Sequence, residues 1–340
     1  MTVKTFSLSL TFNPTMERRT NRRGVTEHFV GGRHLKLDDL KEAAQGLETR
    51  QYLFRENIPA YPRPEFHVSH LKHDTDLEGL LGIKRDGGFR SLGPESLLWW
   101  SLAVKPEDVT SAETRLLEET YPDRTEEQVQ TQQSFLGKFT TSPAFLETSR
   151  LGSYRFTFPV EEVLEAYREQ FCGGEPPVLQ VFETVLYKQE VMYVVLVDRP
   201  ANQQYSSLSD DPNAVCVYRD GRFIWRPEAI CNEHNFELVQ KPDVNQMELF
   251  PCSRHFYVWD HVAIALHVGK GKVLKFHTDQ LRGNLKFCDP GEPQLSYFES
   301  FADAEEIVGN LWPEYPAQLE KQISLQEMLY PWWELLGFCR

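Results

Sequence analysis

Residues Glu65 to Gly82 read EFHVSHLKHDTDLEGLLG. Phe66 and Val68 alternate with His67 and Ser69, the two-residue period of a strand, so His67 and Ser69 share one face. Thr75 and Glu78 then form a Thr-x-x-Glu capping pattern ahead of Leu77, Leu80 and Leu81. The following RDGGF, Arg85 to Phe89, supplies two glycines where a helix stops. The stretch therefore predicts a strand that feeds directly into a short helix. Three histidines, His67, His70 and His73, fall within it. A zinc site needs its ligands to converge, and an extended strand sends His67 and His70 to opposite faces. Structural roles suit His70 and His73 better.

Around this stretch the chain has 340 residues, 41% of them hydrophobic, enough for one large domain or two ordinary ones. No apolar run approaches the roughly 20 residues that span a bilayer, which predicts no membrane span. The N-terminus alternates apolar and polar residues and lacks a continuous signal-peptide core, so the expected compartment is the cytoplasm. Six cysteines in a chain of this size predict reduced thiols rather than a disulfide framework. The net charge of −14 argues against an extended nucleic-acid track, which needs clustered Lys and Arg. Met16 to Arg23, MERRTNRR, is a short basic cluster.

Three regions follow from the pattern. Residues 1–64 predict a strand, a polar loop and a helix around LDDLKEAAQGLETRQYLFRENI, ending in the proline-rich connector Ile58 to Phe66. Residues 65–200 form the middle region, closed by the polar loop that begins DRPANQQ. Residues 201–340 predict a smaller α+β module. In it, WDHVAIALHVGKGKVLKFH reads as a hairpin, with strands Val262 to Val268 and Val273 to His277 around a Gly-Lys-Gly turn. LLWW, Leu97 to Trp100, reads as a buried aromatic anchor. LYPWWELLGF near the C-terminus reads as a segment docked on the body.

FHVSHLKHDTDLEGLLGIKRDGGF resembles the first strand and helix of ADP-ribosyltransferases of the diphtheria-toxin-like, His-Tyr-Glu type. KFTTSPAFLETSRLGSYRF, Lys138 to Phe156, is similar to that family's nicotinamide-lining region. PPVLQVFETVLYKQEVMYVVLVD, Pro176 to Asp198, is similar to the strand carrying its catalytic glutamate. The resemblance covers about Phe66 to Asp198. It implies an α+β fold with a split, mixed or antiparallel sheet of ADP-ribosyltransferase type. It also implies NAD as substrate and an unidentified protein acceptor. The sequence departs from the family pattern in two places: RLGSY has one glycine where the family has two, and Val181 stands where a polar acceptor-side residue is usual.

VLQVFETVLY places Leu179, Val181, Glu183, Val185 and Tyr187 on one face of a regular strand. A carboxylate within an apolar face costs free energy unless it has partners or faces a cleft. The opposite face is equally apolar, so the strand belongs inside a sheet. The resemblance implies that Glu183 stabilises the oxocarbenium-like ribose as nicotinamide leaves. It implies that His67 meets ribose hydroxyls, that the backbone of Val68 pairs with the carboxamide, and that Ser69 belongs to the same NAD-binding set. Tyr154, or else Phe145, stacks on the nicotinamide ring. Arg90 or Arg150 meets the pyrophosphate. Mono-ADP-ribosylation, NAD hydrolysis and loss of catalysis all stay open.

CNEH, Cys231 to His234, and CSRH, Cys252 to His255, repeat a Cys-x-x-His pair. Together Cys231, His234, Cys252 and His255 make a candidate Cys₂His₂ set for a structural zinc, with buried free cysteines as the competing reading. From a different functional class, the same features suit a non-catalytic scaffold or innate-immune interaction protein, with or without that zinc.

Overall fold

The computed structural model describes residues 15–21, 24–47, 53–54, 61–91, 93–187, 190–208, 210–229, 235–252, 261–291 and 294–313. In chain order they begin with β1 (Glu17–Thr20), β2 (Thr26–Gly31), α1 (Leu37–Ala43), β3 (Phe66–Val68), β4 (His70–Thr75), α2 (Leu77–Asp86), β5 (Gly88–Arg90) and β6 (Leu97–Ala103). Then come α3 (Pro106–Thr120), α4 (Glu126–Thr131), a 3-10 turn (Leu136–Phe139), β7 (Tyr154–Pro159), α5 (Val160–Phe171), β8 (Val178–Tyr187) and β9 (Glu190–Asp198). The last are β10 (Cys216–Arg219), β11 (Arg222–Trp225), β12 (Phe236–Lys241), β13 (Gln246–Pro251), β14 (His261–His267), β15 (Val273–Lys275), α6 (Thr278–Gly283), β16 (Leu285–Phe287) and α7 (Phe301–Leu311).

These elements make a mixed α+β fold around a nine-stranded sheet in the order β1-β2-β8-β9-β14-β6-β4-β7-β16. β14 runs parallel to β9, and the other neighbours pair antiparallel. The strands come from all three regions: β1 and β2 from the first, β14 and β16 from the last. A separate three-stranded sheet, β10-β11-β3, carries His67. The hairpin expected at Val262 to His277 does not form. β14 pairs with β9 and β6, while β15 pairs with β5. A Gly-Lys turn is a local signal, and the parallel partner of β14 lies more than sixty residues upstream, beyond any local pattern.

One face of the large sheet packs against the helices. α5 buries Val160, Val163, Leu164 and Tyr167, the stripe of an amphipathic helix. α3 adds Val109, Ala112 and Leu117, and α2 adds Leu80 and Ile83. They join Leu71, Leu102, Phe156, Phe158, Val195, Val197, Ile264 and Leu266 in one core. Trp100 is buried at its centre, as expected of LLWW, with Phe89 at 4.8 Å between ring centroids; Trp99, one residue earlier, is exposed. The opposite face carries a smaller cluster of Leu97, Val185, Val194, Leu196, Ala263 and Ala265.

Local signals hold with two shifts. α2 is capped by Asp76 rather than Thr75: the Asp76 carboxylate accepts the Gly79 N–H at 2.9 Å. Thr75 is still the last residue of β4, so the helix starts one residue later than the capping-box pattern predicts. At the other end Gly87 adopts φ 65° and stops the helix, as RDGGF predicts. The second shift is on β8. A bulge between Val181 and Glu183 breaks its alternation. Val181 opposes Val195 of the main core and Glu183 opposes Val194 of the smaller cluster, so the two residues lie on opposite faces rather than on one. No helix among the described residues is long and apolar enough to cross a membrane.

Candidate functional site

β3 pairs antiparallel with β11, setting Phe66 opposite Trp225, His67 opposite Ile224 and Val68 opposite Phe223. Phe66 and Val68 are fully buried, and His67 points the other way, as the alternation predicts. Glu65, two residues earlier, shares that side. His67 Nε2 lies 2.7 Å from Glu65 Oε1, and Arg226 Nε donates to Glu65 Oε2 at 2.7 Å. From α3, Arg115 Nη2 donates to the Glu65 carbonyl at 2.6 Å.

Arg222 at the start of β11 and Arg226 just past its end flank Ile224 at two-residue steps, the spacing that puts both on the His67 side. Burial alone raises the Glu65 carboxyl, but the hydrogen bonds from His67 and Arg226 and their charges outweigh it and hold it below its ordinary value. Burial pulls the Arg115 guanidinium down; Glu65 and Asp108 oppose that pull and the Arg222 charge adds to it. The result is a partly exposed cluster of one acid, one imidazole and three guanidiniums in an otherwise acidic chain.

Ser69 joins a different pair. Its Oγ lies 2.9 Å from His70 Nδ1, and Lys105 Nζ lies 3.0 Å from His70 Nε2. An ammonium only donates, so Nε2 accepts and Nδ1–H donates to Ser69 Oγ. Burial, then the Lys105 charge, pulls His70 down to about 4, so the imidazole stays neutral. Ser69 therefore receives a proton bond rather than giving one up, and is not activated as a nucleophile.

The remaining predicted residues lie elsewhere. Glu183 is buried on β8, where Arg19 Nη1 donates to its Oε2 at 3.3 Å. Burial pushes its carboxyl up; Arg19 opposes, and Glu95 and Glu27 add to the push. The cross-strand row through Glu183 runs via Val194, Ala263 and Ser101 to Lys72 on β4. Four strand spacings of about 4.8 Å put Lys72 about 19 Å from Glu183. His67 precedes Lys72 by five residues, on a strand that has left this sheet for β11. His67 and Glu183 are not brought together.

Tyr154 is fully buried, its ring edge on Phe287 at 6.2 Å. Phe145 packs between Phe66 at 4.9 Å and Trp225 at 5.6 Å. Neither ring is offered to a ligand. Val68 is core, Arg90 pairs with Asp86 at 2.9 Å, and Arg150 pairs with Glu190 at 2.8 Å.

Cys231, His234 and His255 lie outside the described residues, as does the LYPWWELLGF segment. Cys252 is partly buried, and its N–H donates to the Asn235 carbonyl at 2.9 Å. Among the described residues no group of three His, Cys, Asp or Glu side chains is placed to hold a metal. A cleft of about 600 Å³ lies along α5, lined by Glu161, Glu162, Glu165, Arg168 and Tyr218, and contains none of the predicted residues.

Sequence reasoning missed Glu65, Arg115, Arg222 and Arg226 as companions of His67. One signal was present. RFIWR, Arg222 to Arg226, alternates charged and apolar residues as a half-buried strand does. Its pairing with β3 was not readable from either segment. No protein-family model matches the chain, and neither a curated protein nor a solved structure does.

Proposed function

We propose that this protein is an ADP-ribosyltransferase-like protein that holds NAD on the outer face of β3, at His67. The observation that carries the reading is the Glu65–His67–Arg226 contact, with Arg115 and Arg222 beside it. It supplies an imidazole for sugar hydroxyls and guanidiniums for phosphate oxygens, the complement of an anionic dinucleotide. In this reading the small β10-β11-β3 sheet and the large sheet are the two halves of a split fold. β4, α2 and the Gly87–Gly88 turn follow His67 in the order that the resemblance implies.

Cleavage of the nicotinamide–ribose bond makes the anomeric carbon cationic, and a carboxylate beside it lowers that barrier. Glu65 is the acid in contact with His67, so the role expected of Glu183 passes to Glu65. A second reading is favoured by a specific feature of the same contact: both Glu65 oxygens already have partners, the His67 imidazole on one and the Arg226 guanidinium on the other. A carboxylate so neutralised offers less charge to an oxocarbenium ion. A scaffold that binds the nucleotide without turnover fits that feature.

The test titrates NAD into the full chain by calorimetry while chromatography follows nicotinamide release. His67→Ala is expected to weaken NAD binding about tenfold, and Glu183→Gln to leave it unchanged. Release that disappears in Glu65→Gln identifies the enzyme; binding without release identifies the scaffold. Absence of saturable NAD binding, or binding lost in Glu183→Gln but kept in His67→Ala, overturns the proposal.

A further inference from the structure

Beyond His267, at the end of β14, the chain turns through Val268-Gly269-Lys270-Gly271-Lys272 before β15. Gly269 (φ 85°) and Gly271 (φ 70°) both adopt left-handed backbone, which glycine alone takes without strain. The Lys272 N–H closes the turn on the Gly269 carbonyl at 3.2 Å. A methyl group placed on Gly269 would stand 3.8 Å from Arg199 Nη2 and 3.8 Å from Lys272 Cγ. Two cationic side chains from separate segments thus flank one glycine.

His267 adds a third group. Its Nδ1 lies 3.2 Å from each Asp198 oxygen, and the Tyr167 hydroxyl donates to its carbonyl at 2.8 Å. Asp198 is buried and also accepts the Arg199 N–H at 2.7 Å and Asn202 Nδ2 at 3.3 Å. This carboxylate is therefore committed to holding the imidazole and the turn after β9. Arg199, Lys270 and Lys272 are exposed, and among the described residues no hydrogen bond or ion pair engages their side chains.

We infer that the β14–β15 turn, with Arg199 and His267, binds the phosphate group of a small phosphorylated molecule. Left-handed glycines turn backbone N–H groups into a concavity that suits an anion. Arg199 supplies a planar fork for two oxygens, and Lys270 and Lys272 supply point charges. The footprint is one turn long and the chain carries −14, so the surface fits a single phosphate and not a polyanion track. This site shares no residue with the His67 face and stands independently of the function proposed there.

The test titrates inorganic phosphate into the full chain, reading affinity by calorimetry and location from backbone amide NMR shifts. Saturable binding is expected, with shifts at Gly269, Gly271 and Lys272, weakened about tenfold in Arg199→Ala and in Lys272→Ala. Both side chains are exposed, so melting curves of the two variants should superimpose on that of the parent. No saturation at tens of millimolar phosphate, or an affinity in both variants equal to that of the parent, overturns the inference. A short oligonucleotide that binds more tightly than phosphate through these same residues overturns the small-molecule assignment.

Discussion

Lys72 shows at the scale of one residue how the sheet's second face is held. It is 5% exposed, and its Nζ donates to the carbonyls of Pro143 at 2.5 Å and Leu146 at 3.1 Å. Beside it Arg155 grips Asp74 with two bonds, at 2.6 and 2.8 Å, and donates to the carbonyls of Leu146, Glu147 and Thr148. Two basic side chains thus tie residues 143–148 to β4 and β7. Burial, then the Arg155 charge, pulls Lys72 from 10.5 to about 7, with Asp74, Cys288 and Glu147 opposing. A neutral amine still has two N–H groups for the two carbonyls, so the tie survives deprotonation. Between pH 7 and 10.5 the unfolded chain holds a proton on Lys72 that the folded chain has released, so stability rises with pH across that window. The slope from Lys72 alone is about 1 kcal/mol per pH unit. Urea denaturation at pH 7, 8 and 9 should show it, and Lys72→Met should flatten it; an equal slope in the variant refutes the assignment. In the sequence HLKHDT, the histidines drew the eye because they suggest ligands. Lys72 and Asp74 carry no local mark of burial, since the burial of Lys72 depends on a loop seventy residues away.

Elements were legible where their signals are local. The strand at Phe66, the helix from Leu77 and its glycine stop follow from alternation, spacing and capping chemistry within a few residues. The cap itself is testable. Asp76 accepts the Gly79 N–H with one oxygen and the Ser296 hydroxyl with the other, at 3.0 Å. Asp76→Ala should cost about 1 kcal/mol, read from the urea midpoint, with Asp76→Asn retaining most of it. If Thr75→Ala is the more costly change, the cap lies where the Thr-x-x-Glu pattern put it. Pairing was not legible. β11 selects β3 across more than 150 residues, and β14 takes a parallel place between β9 and β6. The bulge in β8 was also hidden, because VLQVFETVLY reads as regular alternation with either face apolar. That single extra residue carried Glu183 away from the face it was expected to share with Val181. The place of His67 on its strand was therefore visible, and the His67–Glu65 and Glu65–Arg226 contacts were not.

For the whole molecule, the decisive fact is that β14, from the last region, sits in the middle of the sheet. The stretch 65–200, which carries the family resemblance, contains β9 and β6 but not the strand that joins them. Expressed alone, residues 65–200 should leave Val194, Leu196, Leu98 and Trp100 along unpaired edges, and no cooperative thermal transition is expected. Circular dichroism and amide dispersion check this; a sharp transition with native-like dispersion would show that the stretch folds without β14. The same arrangement governs birth on the ribosome. Roughly sixty residues separate the end of β9 from the start of β14, which at cellular synthesis rates is a delay of about 3 to 12 seconds. Throughout that interval two half-sheets emerge with raw edges and nothing to zip them. The nascent chain is therefore a natural client for holdase chaperones, and premature stop codons before position 261 should yield aggregates rather than a smaller working protein.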